Sequence, residues 1–323
     1  MNYRRLGRSG LKVSELALGS WVTYGGQVGD EASVRIIREA FERGVNFFDC
    51  ADQYSEGRAE TVLGKAVQGI PRSELVISTK LFWATMKGPN GRGLSRKHIV
   101  ESIEASLRRL RLDYVDLYFC HRYDPETPVE ETARAMDDLI HQGKILYWGT
   151  SEWHADQIAA AFDAAREFGG QPPSMEQPQY NLFRRRRVEH ELARLAERYG
   201  IGLTIFSPLA LGVLTGKYGA GIPAGSRATL AGYEWMREEA LLPERIEKAR
   251  RFAEFSRQLG LPPAQVAIAW CLRSPLVSSV ITGASKLEQL QENLGAAEAQ
   301  AQLTPEVLAR LEEMFPLSRR EAG

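Results

Sequence analysis

One feature constrains this chain more than any other: a short apolar run followed by an amphipathic segment, eight times over. "LALGS" leads into "DEASVRIIREAFERG", where Val34, Ile37 and Phe41 recur at helical spacing, Asp30 stands as N-cap and Gly44 as the stop. The cycle continues with a strand at 45–49 and a helix at 59–67, then a strand at 75–80 and a helix after Ser95 with Ile99, Ile103, Leu107 and Leu110 on one face. "YVDLYFCH" precedes a helix at 129–140, "ILYWGTS" one at 156–168, and the short "SMEQPQ" one at 189–199. "GLTIFSP", a Gly-rich insertion at about 211–242 and a helix at 244–259 form the seventh unit; "SSVITGAS" and "KLEQLQENLGAA" form the eighth.

Strands that are apolar throughout belong to parallel sheets covered on both faces. Eight strand–helix units in a chain of 323 residues predict a closed α/β (β/α)8 barrel, the TIM barrel. The competing open doubly wound sheet would carry Gly-x-Gly-x-x-Gly at a strand-to-helix turn, and no such turn occurs. A hairpin at about 3–14 ("YRRLGRSGLKVS", turning at Ser9–Gly10) precedes the barrel; an extra helix after Leu303 and a polar tail at 318–323 follow it. No composition break marks a second domain, so one domain spanning 1–323 is expected.

Lys plus Arg and Asp plus Glu balance at 41 each, which argues against nucleic acid or an anionic membrane as a partner of the whole chain. The dense basic run Arg184 to Arg187 is expected to be a solvated helix start. Cys50, Cys120 and Cys271 follow neither a disulfide framework nor metal-ligand spacing, so no metal site is expected. With no apolar leader in "MNYRRLGRSG" and no run long enough to span a bilayer, the expected location is the cytoplasm, without membrane insertion.

A barrel builds its active site at the C-terminal ends of its strands. Here those ends carry Ser20 and Trp21, Asp49, Lys80, His121, Ser151, Gln177, Ser207, and Gly283 with Ser285. Any one of them is most simply a turn residue or a solvated terminus, but Asp49, Lys80 and His121 leave three successive strands and can converge. A lysine in a desolvated mouth needs a counter-charge, which Asp49 supplies. A nearby ammonium favours tyrosinate, so Tyr54 is expected to be tuned from its ordinary value of about 10 toward neutrality. His121 can donate to an oxygen on which charge develops. The set suits carbonyl reduction, with a proton from the tyrosine; no side chain supplies hydride, so a nicotinamide cofactor is implied.

Over residues 3 to 298 the sequence resembles the aldo-keto reductase superfamily, in the branch of the voltage-gated potassium channel β-subunits and their bacterial relatives. "GSWVTYGGQ", "GLSRKHIVESIEASLRRLRLDYVD", "RYDPETPVEETARAM", "YWGTSEW", "SPLALGVLTGKY", "AIAWCLR" and "GASKLEQLQENLGA" carry the resemblance. It implies a barrel that binds NADP(H) across its mouth and a catalytic tetrad of Asp49, Tyr54, Lys80 and His121, with Tyr54 as proton donor. It further implies that Ser151 and Gln177 hold the nicotinamide carboxamide, beside Asp49, and that Phe206 stacks on the ring. Ser207, Pro208, Leu209, Gly212 and Lys217 would strap the pyrophosphate, with Arg227 from the insertion. Gly283, Ser285, Gln289, Glu292 and Asn293 would take the adenosine-phosphate end, where a helix beginning near Ser285 offers an anion site. Ser20, Trp21 and Gln27 match the first-strand loop.

Two departures stand out. Channel β-subunits often carry Asn where this chain has His121, which favours a competent reductase. Glu152 replaces the Asn or Arg common in relatives. Trp21, Tyr24, Phe82, Trp83 and Arg122 are read as walls of the pocket for a small carbonyl substrate, Arg122 favouring a carboxylate or phosphate on it. The expectation is therefore an NADPH-dependent aldehyde reductase, possible also on ketones; the alternative is a slow, redox-sensing NADPH-binding β-subunit of a membrane channel or transporter. The branch suggests a homo-oligomer, a tetramer among its forms.

Overall fold

Each apolar run crosses the wall of a barrel whose two faces are both covered, which is why the strands are short and show no alternation. The computed structural model describes residues 1–230 and 232–317; the tail expected at 318–323 lies outside them. The hairpin is β1 (Tyr3–Arg5) with β2 (Lys12–Ser14), antiparallel. The barrel strands are β3 (Leu16–Gly19), β4 (Phe47–Asp49), β5 (Val76–Leu81), β6 (Val115–Cys120), β7 (Ile145–Ser151), β8 (Met175–Gln177), β9 (Gly202–Ile205) and β10 (Val277–Thr282). They pair in parallel in chain order, and β10 closes the ring between β9 and β3. The expected closed barrel and its leading hairpin are present.

The hairpin has a structural task. Leu6 and Val13, both fully buried, join Ala17, Phe47, Val76, Leu117, Phe119 and Met175 in one apolar cluster inside the barrel base. Gly7 lies so close to Gly200 and Gly202 that a side chain on it would overlap their backbone, and Arg8 N–H donates to Gly200 O at 2.8 Å. The base is thus stoppered.

Around the strands run α1 (Asp30–Glu42), α2 (Arg58–Ala66), α3 (Arg96–Leu110), α4 (Val129–His141), α5 (Ala155–Glu167), α6 (Ala193–Tyr199), α7 (Trp235–Ala240), α8 (Pro243–Gln258), α9 (Pro263–Leu272), α10 (Leu287–Leu294), α11 (Ala296–Ala299) and α12 (Pro305–Met314). Ser95 caps α3 by accepting the His98 N–H at 3.3 Å. Gly44 takes φ 87° beyond the end of α1, as a helix stop requires.

Four expectations are corrected. Asp30 is the first residue of α1 and makes no cap bond; its carboxylate pairs instead with Arg58 at 3.0 Å. Beyond the insertion, which itself carries α7, two helices, α8 and α9, precede β10 where one was expected; α9 is buried nearly all round and so has no polar stripe to reveal it. The helix placed at 189–199 starts as a π-helical turn, Arg187–Leu192, before α6. The arginine run is not a solvated face: Arg185 is buried against Glu189 and Glu312, and Arg187 reaches Glu152 and Glu176.

Candidate active site

The chemistry gathers at the C-terminal ends of β4 and β5. Alternation along β5 puts Ser78 and Lys80 on the same inward face, and the register sets Asp49 opposite Ser78. Lys80 is wholly buried. Its Nζ donates to Asp49 Oδ2 at 2.6 Å and to the Cys50 carbonyl at 2.7 Å. The other carboxylate oxygen, Oδ1, accepts from Ser78 Oγ at 2.7 Å and from Gln177 Nε2 at 3.0 Å. Two charges withdrawn from water are therefore each met by several partners, the condition under which a buried pair is sustained.

Tyr54 begins a 3₁₀ turn, Tyr54–Gly57, in which Ser55 and Glu56 take positive φ of 50° and 56°. Its ring lies 5.2 Å from Lys80 Nζ, and stands edge-on to His121 with centroids 5.8 Å apart. His121 also meets Trp83 at 6.4 Å, and the Arg122 guanidinium sits over Trp83 at 5.9 Å. The Tyr54 hydroxyl is held well above the ordinary tyrosine range, first by burial and then by the Asp49 charge. That corrects the expected tuning toward neutrality: the Lys80 ammonium is already taken up by Asp49 and Cys50, so desolvation wins. His121 is pushed well below its ordinary value by burial and by the Lys80 and Arg122 charges, and its Nδ1 has no partner among the described residues. The imidazole is neutral at physiological pH.

Asp49, Tyr54 and His121 share one wall of a cavity of about 840 Å³ that crosses the barrel mouth. Ser151, Gln177, Phe206, Ser207, Pro208, Leu209, Gly212, Lys217 and Arg227 line it further along, as do Gly283, Ser285, Gln289, Glu292 and Asn293. Trp21, Gln27, Trp83 and Arg122 complete the predicted residues that reach it. Ser151 Oγ donates to the Gln177 carbonyl at 2.9 Å, so the two are held as a pair. The insertion crosses toward the first-strand loop: Gln27 Nε2 donates to Gly225 O at 2.9 Å, and Arg227 stacks over Trp21 at 5.4 Å.

Six cations line the cavity (Arg122, Arg184, Lys217, Arg227, Arg245 and Lys286) against the carboxylates Asp49, Glu152, Glu239 and Glu292. Asp49 is already paired with Lys80, and Glu152 with Arg187 at 2.9 Å. The balance is cationic. Lys217 Nζ lies where a Cβ on Gly212 would come within 2.8 Å, and Arg227 where one on Gly283 would come within 3.0 Å. Glycine at both places lets two cations press against backbone; burial and their mutual repulsion hold the Lys217 ammonium below its usual value.

Four predicted residues do not line the cavity, the first being Lys80, wholly buried behind Asp49. Ser20 is fully buried, its hydroxyl donated to the Asp49 carbonyl at 3.0 Å. Tyr24 is a core residue beneath the first-strand loop, and Phe82 packs under Trp83 at 5.1 Å with only 6% of its surface exposed. Position after a strand exit does not decide which way a side chain turns. Conversely, Ser78 and Asn181 escaped notice. Ser78 was readable as the residue two before Lys80 on the same face. Asn181 bridges loops: its Nδ2 donates to Ser207 O at 3.0 Å while its Oδ1 accepts from Phe183 and Arg184 N–H. Glu152, left open before, accepts the Gln179 N–H at 2.7 Å and so ties the exit of β7 to that of β8.

A family model described as "Aldo/keto reductase family" matches residues 15–315. A rice protein (Oryza sativa subsp. japonica) named "Probable voltage-gated potassium channel subunit beta" is 50% identical over 315 residues, 97% of this chain and 96% of its own. An Arabidopsis thaliana protein of the same name is 49% identical over 318 residues, 98% and 97% of the two chains. Among the described residues no helix is long and apolar enough to cross a membrane.

Proposed function

The chain belongs to the aldo/keto reductase family, and on that footing we propose that it reduces aldehydes, and some ketones, to alcohols with NADPH, Tyr54 supplying the proton. The observation that carries this reading is the edge-to-face contact of a phenol and a neutral imidazole, centroids 5.8 Å apart, beside a buried Lys80–Asp49 pair at the wall of a cationic cavity. The residues present fit a dinucleotide phosphate: Lys217 and Arg227, pressed against glycines, would hold the pyrophosphate. Ser151 and Gln177 would hold the carboxamide, Phe206 the ring face, and Ser285 with Gln289 the adenosine-phosphate end. When bound, the nicotinamide supplies the hydride.

The chain's own residues manage the proton. A phenol held above its usual range stays protonated through the working pH. It gives up its proton only as the carbonyl oxygen gains alkoxide character, because an alkoxide is the stronger base. The phenolate left behind lies 5.2 Å, ring centroid to Nζ, from the Lys80 ammonium, whose charge then favours it. His121, neutral, keeps one N–H to donate to the same oxygen. Trp21, Trp83 and Arg122 would face the substrate, Arg122 drawing an anionic group.

The test follows NADPH oxidation over aliphatic, aromatic and carboxylate-bearing aldehydes, with cofactor binding read separately by fluorescence. Tyr54→Phe should lower turnover by about 10²–10⁴ while leaving NADPH affinity within a few-fold. Undiminished turnover in that variant would remove Tyr54 from its role. The names of the plant relatives motivate a second reading, a slow NADPH-holding regulatory subunit; tight NADPH binding without multiple turnover on any aldehyde would favour it.

A further inference from the structure

The arginine run divides its labour. Arg185 is neutralised by Glu189 at 2.9 Å and Glu312 at 2.7 Å; Arg187 is neutralised by Glu152 at 2.9 Å and Glu176 at 3.1 Å. Arg184, the first of the run, lines the cavity instead, and its guanidinium has neither ion pair nor hydrogen bond among the described residues. Its backbone is fixed by the turn in which Asn181 Oδ1 accepts its N–H at 3.1 Å.

A second arginine lines the same cavity. Arg245 lies in the first turn of α8, directly after the insertion, and its NH1 donates to the Glu239 carbonyl at 2.8 Å. Its guanidinium sits 5.8 Å from the Phe183 ring, the residue next to Arg184, and Phe183 lines the cavity too. Burial and then the nearby Arg184 charge hold the Arg245 guanidinium below its ordinary value. Glu239 and Glu244 pull the opposite way, but neither forms an ion pair with Arg245 among the described residues. Two like charges facing one space, backed by an aromatic ring, are the arrangement that an oxyanion relieves: each guanidinium presents planar paired donors.

We propose that Arg184 and Arg245 form an oxyanion subsite for a phosphate or carboxylate group, distinct in its residues from those read as holding the cofactor. One arginine comes from the segment after β8 and the other from the root of the insertion, so a bound anion would bridge the barrel rim and the insertion. The subsite does not depend on the nicotinamide reading.

The test is calorimetric titration of the full chain, free of cofactor, with inorganic phosphate against chloride at matched ionic strength. Because Lys217 and Arg227 can also attract phosphate, the titration is run in a Lys217→Ala/Arg227→Ala background. Phosphate should still bind there, and adding Arg184→Ala or Arg245→Ala should weaken it by about 10-fold or more, the loss of a charge-assisted hydrogen bond. Arg184→Lys should recover part of it. Acetate in place of phosphate tells which oxyanion the subsite prefers. Phosphate binding abolished by the background pair alone, or unchanged on removing Arg184 and Arg245, would overturn the subsite. NADPH fluorescence with the otherwise wild-type Arg184→Ala chain keeps the two readings apart: its affinity should stay within a few-fold.

Discussion

At the scale of single residues, Asp49 and Lys80 are partners with unequal insurance. If Lys80 is lost, the Asp49 carboxylate keeps the donors Ser78 and Gln177; if Asp49 is lost, the Lys80 ammonium keeps only the Cys50 carbonyl. Breaking a buried pair from one side typically costs about 3–5 kcal/mol. Asp49→Asn should therefore fall at the upper end and Lys80→Met clearly below it, measured by urea unfolding. Equal losses would mean that the extra donors carry no weight. Both residues were legible in the sequence because strand exits are where a barrel exposes its chemistry. The direction of Tyr54's shift was not, since it depends on how completely Asp49 absorbs the lysine's charge, a matter of ångströms and not of spacing.

At the scale of elements, β7 and β8 are joined by a carboxyl that neither mechanism nor cavity uses. Glu176 is fully buried, accepts from Thr150 Oγ1 at 2.5 Å and pairs with Arg187 at 3.1 Å. Burial nonetheless raises it from 4.5 to about 7. A folded-state value above the unfolded one means stability fully present below about pH 4.5 and lost as pH rises through about 7. Glu176→Gln cannot ionise and escapes that loss. Relative to wild type, its unfolding free energy should gain on the order of 3 kcal/mol between pH 4.5 and pH 8. Parallel pH profiles for the two chains would refute the assignment. The elements themselves were largely readable, because helices half-covered by solvent announce themselves by a stripe. α9 did not, for the opposite reason: surrounded by α8, α10, α11 and β10, it has nearly no wet side and no period to read. The arginine run failed likewise, its partners Glu152, Glu176 and Glu312 being scattered over 160 residues of chain.

At the scale of the molecule, the closed barrel was legible because eight repeats leave few alternatives, whereas the cavity's shape was not: it is assembled from loops whose side chains turn in or out by packing. Trp21 turns in, and Tyr24, three residues on, turns under. The stoppered base has a consequence for traffic. With Leu6 and Val13 plugging one end, the described cavity opens at the other, and the insertion tied to Gln27 and Trp21 crosses that doorway's threshold. On the proposed function, two guests share that doorway, and the one lying under the strap must enter first and leave last. Steady-state kinetics should then show NADP⁺ competing with NADPH alone, and the alcohol product competing with neither guest; a random pattern would mean the strap swings free in every turnover. The short hairpin at the far end of the molecule would thus set the queue at the mouth.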